Sequence, residues 1–154
     1  MRFARPATSA FLVGLTVAVS GCGSSTETPA TFRTNADAIC ASFDRVADRV
    51  EGLPKHPVGD FVHQEGLAIG GLVTAGHRAL DELRQLHPSS AYADTFDDYL
   101  AASRLRLELA ARSGRAYANN DPTTAELLRG QGIKLKYRQQ KAAKKIGFKR
   151  CGQD

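Results

Sequence analysis

The sequence predicts an all-α protein: an antiparallel four-helix bundle with up-down-up-down topology, preceded by an N-terminal leader and a flexible tether. Three observations predict it. Apolar residues recur every three or four positions in four successive segments, which places them on one face of a helix. Clusters of Gly, Pro, Ser and Asn separate these segments, and such residues end helices and form turns. Finally, a cysteine lies near each end of the helical region, where the first and last helices of such a bundle meet.

The first 21 residues have the layout of an export signal. Residues 1–10 contain Arg2 and Arg5 but no acidic residue, and an apolar run follows at residues 11–19. That run is too short to span a bilayer, which takes about 20 apolar residues. A basic start, a short apolar middle and small residues before a cut point are typical of a cleaved signal peptide. We therefore assign residues 1–21 to the signal peptide and exclude them from the fold.

The cut point resembles the lipobox of bacterial lipoproteins. Val19, Ser20, Gly21 and Cys22 supply the aliphatic residue, the two small residues and the cysteine of that motif. The resemblance implies that Cys22 receives a diacylglycerol thioether and becomes the first residue of the mature chain. It also implies a lipid anchor in the cell membrane, on the extracytoplasmic face, where two or three acyl chains hold more firmly than one. An ordinary secretory signal with a chance cysteine is the alternative.

Residues 22–33 predict a disordered tether, because they are rich in Gly, Ser, Thr and Pro and lack apolar periodicity. A linker of this length reaches roughly 20 Å. Residues 34–154 are enough for one domain with its own core. With Cys22 acylated, Cys40 and Cys151 are left over, and such a pair in an exported protein predicts a disulfide. Two free thiols are the alternative.

The first predicted helix begins at a cap formed by Thr34 or Asn35. Asp37 follows, where its charge suits the positively polarised start of a helix. Gly52 and Pro54 end the helix. Its apolar stripe consists of Ile39, Phe43, Val46 and Val50.

The second predicted helix begins at Asp60, a favourable N-cap residue, and extends to about Leu86. Its apolar residues follow the spacing of an antiparallel bundle seam: Ile69, Leu72, Gly76, Ala79, Leu83 and Leu86. Glycines are unusually frequent in this helix, since each costs up to about 1 kcal/mol relative to Ala. They are Gly66, Gly70, Gly71 and Gly76. One explanation is the close approach of a neighbouring helix, and the other is a kink or a hollow that admits a ligand.

The third predicted helix follows residues 87–90, which end the second helix and supply serines as candidate caps. Three aspartates lie near its start. Its long apolar stripe predicts that it packs along much of its length. The stripe consists of Tyr92, Phe96, Tyr99, Leu100, Ser103, Leu107, Ala110, Gly114 and Tyr117.

The fourth predicted helix begins around residues 123–124, after an Asn-Asn-Asp-Pro turn. Gly130 and Gly132 weaken it enough to allow a break. Gly147 predicts its C-cap, and Phe148 can fold back onto the core. Its thin apolar side consists of Ala125, Leu128, Leu135, Ala142 and Ile146.

An up-down-up-down bundle brings the start of its first helix and the end of its fourth to the same end. Cys40 and Cys151 belong to those two places, so the cysteine count and the helix count agree. The layout also resembles small helical lipoproteins of high-GC Gram-positive bacteria, with a lipobox, a polar tether, a cysteine in the first helix and a final Gly-x-x-x-Cys, here Gly147 to Cys151. This resemblance implies the cysteine pair and no particular activity. Because the tether leaves from the same end, we expect that end to lie nearest the membrane.

Charge is divided unevenly along the mature chain. Residues 126–154 carry nine Lys and Arg against two acids, a net charge of +7, whereas residues 22–125 carry ten basic and fourteen acidic residues, a net charge of −4. One helical face carries Lys134, Arg138, Lys141 and Lys145. This face could contact anionic lipid headgroups or wall polymers, or an envelope protein. It could also be solvated, or face the acidic helices of its own domain. We expect no nucleic acid partner, because an exported, anchored domain seldom meets one.

No catalytic or cofactor motif is recognisable. A His-Glu-x-x-His helix, a Gly-x-Ser-x-Gly turn and a phosphate-binding Gly-rich loop are absent, as are the paired Glu-x-x-His motifs of a di-iron bundle. Asp60 and His63 form a carboxylate–histidine pair, which a helix cap and a surface residue explain better than a metal site. A disulfide likewise explains Cys40 better than a nucleophile does. We therefore predict no catalytic residue, no metal and no cofactor.

The sequence thus predicts a non-enzymatic, lipid-anchored cell-envelope protein that serves as a binding or interaction domain. The alternative is a bundle that binds a small molecule or a metal in a pocket beside the Gly-rich second helix. A pocket of polar groups between the second and third helices would favour the alternative. A tightly filled core with an exposed basic face would favour the interaction domain.

Overall fold

The computed structural model describes residues 26–51 and 60–152, which form four α-helices and, within those ranges, no strand. The helices are α1, Pro29–Glu51; α2, Asp60–Leu83; α3, Ala93–Ala118; and α4, Pro122–Ile146. The predicted all-α bundle is confirmed. The predicted signal peptide, the predicted acylation site at Cys22 and the predicted turn that ends the first helix lie outside the described residues.

Buried residues form two clusters, one toward each end of the bundle. The larger one joins all four helices to the C-terminal segment, residues 147–152. Its centre consists of four aromatic rings whose neighbouring centroids lie 5.0–6.3 Å apart, those of Phe32, Phe96, Tyr99 and Phe148. Each such pair contributes about 0.5–1.5 kcal/mol beyond its buried area. The smaller cluster, at the opposite end, joins Val62, Tyr117 and Ala125 of α2, α3 and α4.

The first helix begins earlier than its sequence predicts. Residues 29–33 are helical, although they belong to the predicted tether, and Phe32 is completely buried. Proline is favoured in the first turn of a helix, where its missing N–H has no partner to lose. The Thr28 hydroxyl accepts the Thr31 N–H at 3.2 Å, as an N-cap residue does. The predicted cap at Thr34 or Asn35 and the tether boundary at residue 33 are therefore wrong.

The second helix is described from Asp60 and ends at Leu83, three residues before the predicted Leu86. The predicted serine cap of α3 is wrong. Tyr92 occupies the N-cap position without a capping side-chain hydrogen bond. The Ser89 carbonyl instead accepts the Tyr92 N–H at 2.9 Å and closes a turn before the helix.

The fourth helix is continuous through Gly130 and Gly132, so the break that they would allow does not occur. Asp121 caps its start by accepting the Thr124 N–H at 3.0 Å. Gly147 adopts the left-handed conformation at its end, with φ 88°, which confirms the predicted C-cap. The reversal that follows brings the next residue, Phe148, into the core.

Two of the four glycines in α2 have the close neighbour that one explanation predicted. A Cβ atom at Gly66 would lie 2.9 Å from the carbonyl oxygen of Gly114 in α3. A Cβ atom at Gly76 would clash with the Leu107 side chain. Gly70 and Gly71 have open space around the Cβ position, so close packing does not explain them. None of the helices within residues 26–51 and 60–152 has the length and apolar character needed to cross a membrane.

Candidate functional site

A pocket of about 180 Å³ lies in the middle of the bundle, between the two core clusters. All four helices and the C-terminal segment contribute to its lining. Most of the lining is aliphatic: Leu72, Val73, Ala79, Leu80, Leu107 and Ala110. Several of these side chains are half-exposed, so the space is connected to solvent. An apolar cavity of about 150 Å³ is already large enough to hold benzene.

The same bundle seam that was predicted from the sequence forms the pocket. Leu72, Gly76 and Ala79 are successive seam positions of α2, and Leu107 and Ala110 belong to the apolar stripe of α3. At Gly76 the Leu107 side chain fills the available space. Around it the small side chains on both helices leave a gap. The hollow that was considered for the Gly-rich helix is therefore present beside Gly76, together with the close packing.

One wall of the pocket is polar and hydrogen-bonded between α3 and α4. The Gln139 side-chain amide donates to the Ser103 hydroxyl at 2.9 Å, and that hydroxyl donates to the Tyr99 carbonyl at 2.7 Å. The Arg106 guanidinium donates to the Gln139 side-chain carbonyl. Ser103 and Gln139 are both buried. Because these polar groups bond to one another, they form a fixed wall that needs no ligand to satisfy it.

Tyr99 lies where this polar wall meets the larger core cluster. Its hydroxyl is 3.7 Å from the Cys40 sulfur, and its ring contacts Phe148. Burial raises the pKa of Tyr99 above its ordinary value, and hydrogen bonding to Gln139 and Ser103 offsets part of that rise. The hydroxyl is therefore neutral at ordinary pH.

The C-terminal segment folds back along α1 and forms another side of the pocket. The sulfur atoms of Cys40 and Cys151 lie 2.05 Å apart, at disulfide-bond distance, and their Cα atoms lie 5.2 Å apart. The predicted cysteine pair is thus brought together. Arg150 forms an ion pair with Asp44 of α1 at 3.0 Å. Arg150 and Gly152 both line the pocket.

Asp37 fixes this segment, a role that the sequence analysis missed. It lies two turns inside α1 instead of at the helix start. Its carboxylate accepts backbone N–H groups of Lys149, Arg150 and Cys151 at distances of 2.8–3.3 Å. The sequence did contain a signal for this role. Asp37 lies three residues before Cys40, which places the two side chains on the same face of the helix.

The predicted basic residues of α4 do not share one environment. Lys134, Lys141 and Lys145 are exposed. Arg138 instead forms an ion pair with Asp98 of α3 at 2.7 Å, so it faces the acidic helix of its own domain. Three large apolar side chains are also exposed on the same helix, a feature that was not predicted from the sequence. They are Leu127, Ile133 and Tyr137.

A second polar group lies in the smaller core cluster. The Tyr117 hydroxyl donates a short hydrogen bond to the Glu126 carboxylate. Burial, this hydrogen bond and the nearby charges of Glu126 and Glu65 raise the pKa of Tyr117 to about 12.

Histidine and acidic side chains do not gather into a metal site in the described part of the chain, where no group of three or more His, Cys, Asp or Glu could hold an ion. His63 is exposed.

Comparisons of the chain with protein families, curated proteins and solved structures found no match. The candidate functional features of the described residues are the pocket, the C-terminal segment and the outer side of α4.

Proposed function

We propose that this chain is a lipid-anchored protein of the bacterial cell envelope whose bundle binds a small, largely apolar molecule in the pocket between its helices. The pocket itself is the observation that carries the proposal. Protein interiors are packed to high density, and voids much larger than a water molecule are few. A mid-bundle space of about 180 Å³ with an aliphatic lining is the kind of concave site that takes a ligand.

The size of the pocket limits the ligand. Sites for drug-sized molecules enclose about 300–1,000 Å³. A space of about 180 Å³ accepts a single ring, a short hydrocarbon chain, or one end of a larger molecule. The apolar part of the ligand would lie against α2 and α3.

The polar wall sets the orientation of the ligand. Ser103 and Gln139 bond to one another and present no charge. Arg106 and Arg150 line the pocket together with Asp44, which makes its polar side more basic than acidic. A ligand with one polar or anionic end would place that end toward the two guanidinium groups.

Binding without catalysis fits the side chains that surround the pocket. None of the residues that line it is a histidine. The Ser103 hydroxyl donates to a backbone carbonyl, so no general base activates it. The location is supported by the lipobox from Val19 to Cys22, which implies attachment to the extracytoplasmic face of the membrane.

Titration with toluene, followed by methyl NMR spectroscopy, tests the pocket. We expect the methyl signals of Leu80 and Leu107 to shift, while those of Leu128, outside the pocket, stay in place. Ala79→Phe fills the space and should weaken toluene binding at least about tenfold, because the ring of the new side chain occupies the site of the ligand. Ala101→Phe, on the exposed side of α3, is the matched control and should bind as the unchanged protein does. Equal binding by both variants, or no shift at all, would contradict the proposal.

A further inference from the structure

The outer face of α4 combines lysines with exposed apolar side chains. At 100° per residue, a sector of about 120° opposite the buried stripe holds ten residues of α4, of which four are lysines and one, Glu126, is acidic. We define this outer face as Leu127, Ile133, Lys134, Tyr137, Lys141 and Lys144. Leu127 is 64% exposed, Ile133 52% and Tyr137 68%. Single apolar residues on a surface are ordinary, but three on one helical face among lysines form a pattern.

The lysines of this face have no competing partner. In the part of the chain that the structure describes, Lys134, Lys141 and Lys144 take part in no hydrogen bond or ion pair. Arg138, which does have a partner in Asp98, lies at the edge of the face and points toward α3. These three lysines therefore lie on the side of α4 that faces away from the bundle.

We propose that this outer face docks on the surface of a bilayer that contains anionic lipids. Helices that lie in a membrane interface combine basic residues with apolar ones. Tyrosine suits the level of the headgroups, because its ring is apolar and its hydroxyl is polar. Lysine can place its methylene chain along apolar surface and keep its ammonium group among the phosphates. Leu127, Ile133 and Tyr137 insert between the headgroups while the lysines contact them.

The rest of the molecule orients this contact. Residues 22–125 carry a net charge of −4, so an anionic surface repels them, whereas residues 126–154 carry +7. The resulting asymmetry turns α4 toward the bilayer. A neutral surface would provide no such preference.

The path of the chain agrees with this orientation, a step that rests on the proposed lipid anchor. The Glu27 N–H donates to the His87 carbonyl at 2.9 Å, so the chain is held to the bundle from residue 27 onward. Only residues 22–26 would then join the acylated cysteine to the domain, and five extended residues span at most about 18 Å. Arg33 of α1 donates to the Ile146 carbonyl at the end of α4, so the anchor would leave the bundle beside that helix.

Vesicle binding tests the electrostatic part of the proposal. The protein is the mature chain from residue 22 with Cys22→Ser, so that no acyl chain contributes. We expect it to bind vesicles of phosphatidylcholine with phosphatidylglycerol and to dissociate from them as salt is added. It should not bind vesicles of phosphatidylcholine alone. A triple reversal to Glu at Lys134, Lys141 and Lys144 should weaken binding by about a hundredfold.

A matched control separates this face from net charge. Arg78, Arg112 and Arg115 are exposed on α2 and α3, and reversing all three to Glu changes the net charge by the same amount. This variant should keep most of the binding. An equal loss in both triple variants overturns the proposal, as does equal binding to the two kinds of vesicle. Circular dichroism checks that each variant keeps its helices.

Fluorescence tests the insertion of the apolar residues. The chain has no tryptophan, so Tyr137→Trp provides a single probe on the outer face. Its emission should shift to shorter wavelength when anionic vesicles are added. Leu67→Trp, at a residue of α2 that is 63% exposed, should show no shift. An unshifted emission from position 137 in vesicle-bound protein overturns the proposal. A negative result in the vesicle or the fluorescence experiment would not contradict the proposed ligand pocket, because toluene binding is measured without lipid.

Discussion

At the scale of single residues, Asp37 holds the end of the chain against α1. Its carboxylate is the acceptor for three successive backbone N–H groups, which otherwise would have to find water. Hydrogen bonds to a charged acceptor are stronger than neutral ones. The segment that Asp37 fixes also carries Arg150 to the pocket. One carboxylate therefore connects local structure to the shape of the candidate site.

Replacing this carboxylate should destabilise the fold. We expect Asp37→Asn to lower the free energy of unfolding by about 2 kcal/mol, because a neutral amide accepts these hydrogen bonds less strongly. Urea denaturation of the oxidised protein measures the change. Asp48→Asn, an exposed position on the same helix, is the control and should change stability by less than about 0.5 kcal/mol. Equal effects of the two variants would contradict the role given to Asp37.

Tyr117 should make the fold sensitive to alkaline pH. Its pKa is raised from 10.0 to about 12 in the folded chain, so the folded state keeps a proton that the unfolded state loses. The contribution to stability is fully present below about pH 10 and is lost as the pH rises toward about 12. Tyr99, whose pKa is also raised, acts in the same direction.

Unfolding measured across this pH range checks the effect. The free energy of unfolding should fall between about pH 10 and pH 12, and it should fall less steeply in Tyr117→Phe, which has no proton to lose. Tyr137→Phe, at an exposed tyrosine, should keep the slope of the unchanged protein. A Tyr117→Phe variant with an unchanged slope would refute this explanation.

At the scale of helices, the contact of α2 with α3 depends on the glycine at position 66. The carbonyl of Gly114 and the backbone of Ala118 lie where a Cβ atom would be. Gly66→Ala should therefore destabilise the protein by about 2 kcal/mol, since the two backbones would have to separate. Gly70→Ala, which meets open space, should stabilise it by up to about 1 kcal/mol through helix propensity. Thermal denaturation of both variants measures the difference in sign, and destabilisation by both would contradict it.

The number and type of helices could be predicted from sequence because each helix buries one apolar face. The spacing of apolar residues at every third or fourth position identifies that buried face directly. The start of α1 could not be predicted, because a proline at position 29 is equally typical of a linker. Only the N-cap hydrogen bond at Thr28 identifies Pro29 as a residue of the first helical turn. Ser89 is not the cap, because residues 89–92 form a turn and α3 begins only at Ala93.

The pocket was harder to predict than the helices. Leu72, Gly76 and Ala79 have the same spacing whether the seam is filled or hollow. The difference depends on whether the side chains of α2 and α3 fill the space between the two helices, which the spacing of the residues does not reveal. The cysteine pair, in contrast, followed once Cys22 was assigned to the lipid anchor, and its two sulfurs do meet. The exposed position of Tyr137 was not predicted, because the basic residues of α4 were interpreted without the apolar residues that lie between them.

At the scale of the whole molecule, the proposed lipid anchor would decide where the bundle acts. We expect Cys22→Ala to move the protein out of the membrane fraction, because the thioether that carries the acyl chains cannot form. Cell fractionation and immunoblotting measure this change. Cys40→Ala, which removes a different cysteine, should leave the protein in the membrane fraction. A Cys22→Ala protein that survives a high-salt wash of the membranes would refute the anchor.

A crystal exposed to xenon under pressure tests the central claim, that the bundle keeps an apolar site open between its helices. Xenon occupies apolar cavities of this size and is located by its anomalous scattering. We expect a xenon peak among Val73, Leu80 and Leu107 in the unchanged protein, and none there in Ala79→Phe. An unchanged protein with those side chains closed together and no xenon between them would contradict it.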